Sequence, residues 1–266
     1  MLSGLEHPDP AILLLVVVAG FAAGWVDAVV GGGGLIQLPA LLLIPGISPV
    51  QALATNKMGS IFGTTTSAVT YYRRVKPDLR TALPMAAIAL AGSFCGAILA
   101  AHLPQSVFKP IIVAALVLVA VFTALKPNVG DLTILRHSGH RHYLMACLIG
   151  GVIGFYDGML GPGTGSFLVI ALVSLMGYAF LEASAKAKIV NMATNAGALM
   201  FFIPHGSLLW GLGAMVGVAN MAGGYLGART AVRQGSKFIR IVFLVVVAAL
   251  IIKLGTDVWN DSIRGH

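Results

Sequence analysis

Charged side chains are scarce in this sequence: they make up 10% of its 266 residues, against about 25% in an average soluble domain. Hydrophobic residues make up 58%, more than a soluble core needs. Almost every long segment free of Lys and Arg reaches the roughly 20 residues that a membrane span requires. That combination excludes a soluble globular domain and points to an all-α polytopic membrane protein. Positive charge is missing altogether ahead of Lys57. A cleavable signal peptide needs a basic region before its apolar core, so residues 11–30 are expected to stay as a first span. That span would enter from the non-cytoplasmic side, past Glu6 and Asp9. Cysteine is nearly absent. Cys95 and Cys147 both fall inside expected spans, which excludes a disulfide framework and leaves them as small apolar packing residues.

What the chain does have is glycine, concentrated where it breaks helices. Gly24-Trp25-Val26-Asp27-Ala28-Val29-Val30-Gly31-Gly32-Gly33-Gly34 closes the first apolar run. Gly154-Phe155-Tyr156-Asp157-Gly158-Met159-Leu160-Gly161-Pro162-Gly163-Thr164-Gly165 repeats it 130 residues later. Beyond the motif, Lys57 is answered by Lys188, Gly46 by Gly177, Gly92 by Gly223 and Gly96 by Gly227, each 131 residues on. A one-residue insertion in the short element that follows the motif accounts for the change of offset.

The chain therefore divides into a first membrane repeat at 1–125, a polar linker at 126–142 and a second repeat at 143–266. In the first, expected helices run over 11–30, a short element at Leu35–Ile44 closed by Pro45-Gly46, then 50–72, 81–102 and 109–125. In the second they run over 143–160, a short element at 165–178, then 186–204, 208–232 and 238–254. Each short element is too short to span and reads as a half-helix, re-entrant or at mid-depth. The net charge of +8 would suggest nucleic acid in a soluble protein. Here the basic residues gather in three places: Arg73, Arg74, Lys76 and Arg80; Lys126, Arg136 and Arg141; Arg229, Arg233, Lys237 and Arg240. Placing all three in the cytoplasm obeys the positive-inside rule. It also makes the halves enter from opposite faces. Such an inverted-topology repeat, with half-helices after Gly-rich loops, is a transporter architecture whose site lies near the midplane.

A charge at the bilayer centre costs about 2.5–3.5 kcal/mol on insertion scales and needs a partner or a water-filled cavity. Asp27 and Asp157 read as ion-coupling carboxylates, or as N-caps of the following half-helices. Lys57 and Lys188 read as anion-binding groups, as structural partners of the aspartates, or as snorkelling side chains. Whether Asp27 meets Lys57 or the lysine of the other half stays open. Gly31, Gly32, Gly33 and Gly34, with Gly161, Gly163 and Gly165, can offer backbone N–H groups at the positive end of a half-helix, which is an anion cradle. The alternative is close helix packing, the reading preferred for Gly92, Gly96, Gly223 and Gly227. No Gly-Lys-Ser/Thr ending follows either cluster, so a nucleotide P-loop is excluded.

Asn191 and Asn195 share a helix face beside Thr194, and Asn56 and Thr64 sit on the matching helix. They either line a polar path or bond across helices. Glu182 and Lys186 form an ordinary i,i+4 pair. His137, His140 and His142 read as residues of a solvated basic loop, so no metal site is expected. Arg229 and Arg233 read as lipid-headgroup anchors.

Gly24-x-x-Asp27 with Gly31-Gly32-Gly33-Gly34-Leu35, followed by Ala52-Leu53-Ala54-Thr55-Asn56-Lys57, resembles the TauE/SafE family of sulfite and organosulfonate permeases. Gly154-Phe155-Tyr156-Asp157-Gly158 with Gly161-Pro162-Gly163-x-Gly165, then Ala185-x-Ala187-Lys188-x-x-Asn191, is similar to that family's second-half signature. The match runs over about 11–254. The resemblance implies a multi-pass protein of the cytoplasmic membrane that carries small sulfur-containing anions, with no catalytic residue and no cofactor. The implied partners are the anionic substrate and the lipid bilayer, with a homodimer as a compatible assembly.

Two other functions compete with a secondary-active, proton-coupled carrier. A passive anion channel needs no coupling acid. An intramembrane aspartyl protease would use two membrane aspartates, but its Gly-x-Gly-Asp pattern fails at Gly24-Trp25-Val26-Asp27.

Overall fold

The computed structural model describes residues 10–104 and 132–264. The expected span at 109–125, the first part of the linker, and Glu6 and Asp9 lie outside them. The chain is all-α, with no strand among the described residues. In order come α1 (Pro10–Val30), a short α2 (Gly34–Leu42), α3 (Pro49–Val75) and α4 (Leu79–His102). After the linker come α5 (Gly139–Met159) and a short α6 (Thr164–Ala171) extended by a π-helical turn (Leu172–Met176), then α7 (Phe180–Phe202) and α8 (Trp210–Arg264). The expected helices 208–232 and 238–254 are the two arms of α8, broken where Gly235 has φ +76°. Three boundaries move by four residues or more. The last helix runs on to Arg264 rather than ending at 254. α7 begins at Phe180 rather than 186, and α5 begins at Gly139, so the end of the expected linker is helical.

Local sequence sets these limits. Ser48 caps α3 through a reciprocal capping box with Gln51, and Pro49 follows at the first helical position, where its missing N–H costs nothing. Asp78 caps α4 by accepting from the N–H of Arg80. The short elements end as expected: at about 1.5 Å per residue, the 9 residues of α2 and the 8 of α6 with the 5 of its π-helical turn both fall well short of a ~30 Å hydrocarbon core.

Burial departs from that of a soluble protein at both ends: charged side chains lie inside among the apolar core, and large apolar ones lie outside. Lys57, Lys186 and Lys188 are among the largest fully buried side chains, and Gln37, Asn56, Asp157 and Asn195 are buried with them. Leu14, Val18, Leu83, Leu144, Val152 and Val218 are exposed. An apolar exterior around a core that also houses charged and amide side chains fits lipid as the solvent. α1 and α4 are apolar enough to span on composition alone, with mean hydropathies of 2.3 and 2.0. α3 and α7 are long enough but less apolar, because their polar residues turn inward.

The two halves interleave. α4 packs on α5 and α7 of the second half, while α8 packs on α1 and α3 of the first. Glycine makes both contacts close. A Cβ at Gly92 would lie 2.7 Å from the carbonyl oxygen of Gly151, and one at Gly96 would overlap that of Phe155. On the other side Gly223 sits against the carbonyl of Phe21 and Gly227 against that of Trp25. The packing role expected for these four glycines is what the contacts show. Cys147 is half-buried in α5, but Cys95 is exposed on α4, so Cys95 faces outward rather than filling a core.

Candidate functional site

The two helix breaks meet each other. Gly31 turns the chain out of α1 at φ +84°, and Gly161 and Gly163 turn it out of α5 at φ +87° and +78°, the left-handed region that glycine enters freely. The N–H of Ser166 donates to Gly31 O at 3.1 Å, and the Ser166 hydroxyl donates to Val30 O at 2.8 Å. A Cβ on Gly34 would meet Pro162 Cα at 3.3 Å. The two glycine loops, 130 residues apart in sequence, thus form one backbone junction.

Two ion pairs flank this junction, and both cross between the halves. Lys57 Nζ of α3 lies 2.7 Å from Asp157 Oδ1 of α5. Lys188 Nζ of α7 lies 2.8 Å from Asp27 Oδ2 of α1 and also donates to the Asp27 carbonyl. Both lysine side chains are 1% exposed, Asp157 2% and Asp27 12%. Of the readings open in the sequence, pairing across the halves is the one the geometry selects. Snorkelling is corrected, because both ammonium groups end inside the bundle. The aspartates are bonded to lysines rather than to each other, which is not the shared-proton dyad of an aspartic protease.

Part of the expected cradle is already filled. The N–H of Gly33 points at Asp27 Oδ1 at 3.4 Å, that of Gly31 donates to Asp27 O, and that of Thr164 donates to Gly161 O. The anion resting at the first loop is the protein's own carboxylate. Asp157 instead receives the hydroxyl of Thr164 at 2.6 Å on Oδ1, and its Oδ2 is buried with no hydrogen-bond partner among the described residues.

The amides fall beside these pairs. Asn195 Nδ2 donates to Thr64 Oγ1 at 3.4 Å, bridging α7 to α3, and Asn191 Oδ1 accepts from Thr194. Asn56 uses its carbonyl to accept from Gln37 Nε2 at 3.2 Å, while its Oδ1 is buried and unpartnered among the described residues. Gln37 was not singled out from sequence, nor was Asn220, whose Nδ2 donates to Gln37 Oε1 at 2.6 Å. Each is a lone amide in an apolar segment, a signal as strong as that of Asn195. Thr164 was also missed between its glycines.

Away from the junction, Glu182 and Lys186 pair at 2.9 Å as expected, but Lys186 is fully buried and its Nζ stands 4.3 Å over the Tyr178 ring. The solvated loop of histidines is corrected at His142. It is buried on α5, with Nε2 2.9 Å from Tyr178 Oη and 3.2 Å from Thr81 Oγ1. No group of three metal-binding side chains occurs among the described residues.

The sequence profile described as Sulfite exporter TauE/SafE matches residues 16–254. A probable membrane transporter protein ORF9 of Sinorhizobium sp is 39% identical over 246 residues, covering 92% of this chain and 93% of that one. The probable membrane transporter protein YfcA of Escherichia coli (strain K12) is 33% identical over 257 residues, covering 96% and 94%. A probable membrane transporter protein of Haemophilus influenzae is 30% identical over 246 residues, covering 92% and 95%. No solved structure matches the chain.

Proposed function

The chain belongs to the TauE/SafE family and is a membrane transporter rather than an enzyme, and we propose that it is a secondary-active, proton-coupled carrier of small anions. Sulfite is the cargo the family description names, organosulfonates share its anionic sulfur–oxygen group, and the cytoplasmic membrane is the place. The observation that carries this reading is the pair of crossed Lys–Asp bridges at the junction of two broken helices. A lysine held by a carboxylate beside glycine backbone is already an anion site, and a free anion can take the carboxylate's place. Discontinuous helices at the centre of a bundle are where transporters of inverted-repeat design hold their substrates.

The halves 1–125 and 143–266 are such a repeat, joined by a cytoplasmic linker at 126–142. The recurrence of contacts supports this reading: Gly92 on Gly151 and Gly96 on Phe155 correspond to Gly223 on Phe21 and Gly227 on Trp25. Single cysteines at Arg74, Arg136 and Lys237, in a background without Cys95 and Cys147, are expected to resist an impermeant thiol reagent in intact cells. Labelling of any one from outside would break the topology. The function is tested by sulfite and sulfonate flux into liposomes with and without a pH gradient. A carrier accumulates anion only with the gradient, whereas a channel equilibrates it regardless.

A further inference from the structure

The buried centre is balanced. Lys57 and Lys188 offset Asp157 and Asp27, so in this charge state no lysine charge is left over for an incoming anion. An anion added to such a centre would bring uncompensated charge into a low-dielectric interior, where it is costly. Something has to release a lysine first.

The two carboxylates differ in which can do so. Asp27 uses both oxygens: Oδ2 accepts from Lys188 and Oδ1 from the N–H of Gly33. Asp157 takes Lys57 and Thr164 on the same oxygen, Oδ1, and leaves Oδ2 buried with no partner among the described residues. An unpaired buried acceptor bears its whole desolvation penalty, and protonation removes the larger part of it, the cost of the buried charge. The groups around it are few. Lys57 faces it from α3 and Thr164 from α6. Tyr156, on its own helix, donates to Pro162 O. α4 brings Ser93 against Gly158, and the Asp27–Lys188 pair of α1 and α7 stands beyond Lys57.

We infer that Asp157 Oδ2 is the proton site of the transport cycle and that Asp27 is a fixed structural partner of Lys188. This rests on the transport reading above. One proton leaves a hydronium ion and binds Oδ2, and Asp157 becomes neutral. Lys57 then holds a whole positive charge for one monovalent anion. Return of the proton to water on the other side restores the Lys57–Asp157 bridge and expels the anion. One proton therefore moves with one monoanion, and the pair carries no net charge. Proton and anion each favour binding of the other, by the same factor in both directions.

The proton site is tested without any substrate, by infrared difference spectra of the reconstituted protein between mildly alkaline and mildly acidic buffer. Acidification is expected to give a protonated-carboxyl stretch that vanishes in Asp157→Asn and persists in Asp27→Asn. A band that survives Asp157→Asn, or is lost in Asp27→Asn, overturns the assignment. Should Asp157→Asn not fold, Thr164→Val decides. It withdraws a hydrogen bond to the charged form and is expected to move the midpoint to higher pH, whereas an unmoved midpoint counts against Asp157. Methanesulfonate, a monoanion at every pH used, serves for flux. Wild-type uptake is expected to follow the pH gradient and ignore membrane potential. Asp157→Asn is expected to keep methanesulfonate exchange, lose the pH drive and respond to potential. Potential-driven uptake by wild type overturns the one-to-one coupling. If wild type takes up neither methanesulfonate nor sulfite, the cargo reading fails, and the infrared result alone settles the proton site.

Discussion

The bridge between Asp27 and Lys188 and the bridge between Asp157 and Lys57 use the same residue types at matching positions, yet their surroundings diverge. The first carboxylate is held by one backbone N–H, that of Gly33, as well as by its lysine, and Lys188 is further anchored on the Asp27 carbonyl. The second is held by a side-chain hydroxyl and has one idle oxygen. Near the first half-helix Gln37 links Asn56 to Asn220. The matching region of α6 is apolar at Phe167 and Leu168, and Ala89 stands in α4 where α8 has Asn220. On the proposed repeat, the matched positions are those that hold the bundle closed and the unmatched ones touch the centre, so the unmatched residues are the better guide to specificity.

The sharpest way to break the comparison is to take one member from each bridge. Lys57→Ala or Asp157→Ala leaves a buried charge alone and is expected to destabilise by about 3–5 kcal/mol, read from thermal unfolding in detergent. Asp157→Ala/Lys57→Ala is expected to recover most of that loss. Asp27→Asn/Lys57→Ala, which removes half of each bridge, is expected to be worse than either single change. Equal recovery in both doubles would mean the pairs are not crossed.

Next in size are the glycines, which resist a side chain for two different reasons. Gly163→Ala must hold an L-residue at φ +78°, at about 1–2 kcal/mol. Gly33 is helical, at φ −58°, and its Cβ would instead lie 2.5 Å from the backbone carbonyl oxygen of Ala23 and 2.6 Å from Asp27 Cβ. Gly33→Ala is therefore expected to cost more stability than Gly163→Ala, through a backbone clash rather than a strained turn, and both are expected to impair anion flux. Flux assays alongside unfolding midpoints separate them.

Gln37→Leu gives the first half-helix the character of the second. It strands the amide of Asn220, at about 1–3 kcal/mol. Adding Asn220→Ala is expected to restore stability while leaving anion selectivity altered in competition assays. Unchanged selectivity in the double variant would reduce the amide bridge to packing.

The smallest effect belongs to the cap of α4, whose counterpart in α8 lacks one: Leu209 stands where Asp78 would be. Burial pushes the Asp78 carboxyl up, but hydrogen bonds from Thr81 and the Arg80 N–H and the charge of Lys186 outweigh it and hold the group below its ordinary value. The cap's contribution is thus complete above the ordinary carboxylate value and fades as pH falls through the depressed one. Asp78→Ala is expected to cost about 1 kcal/mol and to flatten that acid limb of a stability–pH curve.

Much of this was legible in the residues. Glycine runs located the helix breaks because few other residues tolerate the turn, and Asp27, Asp157, Lys57 and Lys188 stood out because charge is so costly in apolar segments. Their partners were not legible. A spacing of 130 says that two motifs match, and nothing in it says that each lysine reaches across to the other motif's aspartate. Gln37 and Asn220 were hidden for a related reason: an isolated amide reads as tolerated polarity until its partner in a distant helix is known. His142 misled in the opposite way, because a basic loop looks solvated until Tyr178 and Thr81 are seen to cover it.

The glycine seam between α1 and α8 also bears on how the protein is made. Gly20 and Gly24 of α1 lie against Val216 and Asn220, residues the ribosome supplies only after most of the chain has been inserted. Until then the notched face of α1 has lipid for a neighbour, and the carboxylate of Asp27 has no Lys188. Assembly of this transporter is therefore governed by contacts of very long sequence separation, the kind that form slowly. A chain cut short before α8 would leave α1 and α3 without the helix they close upon.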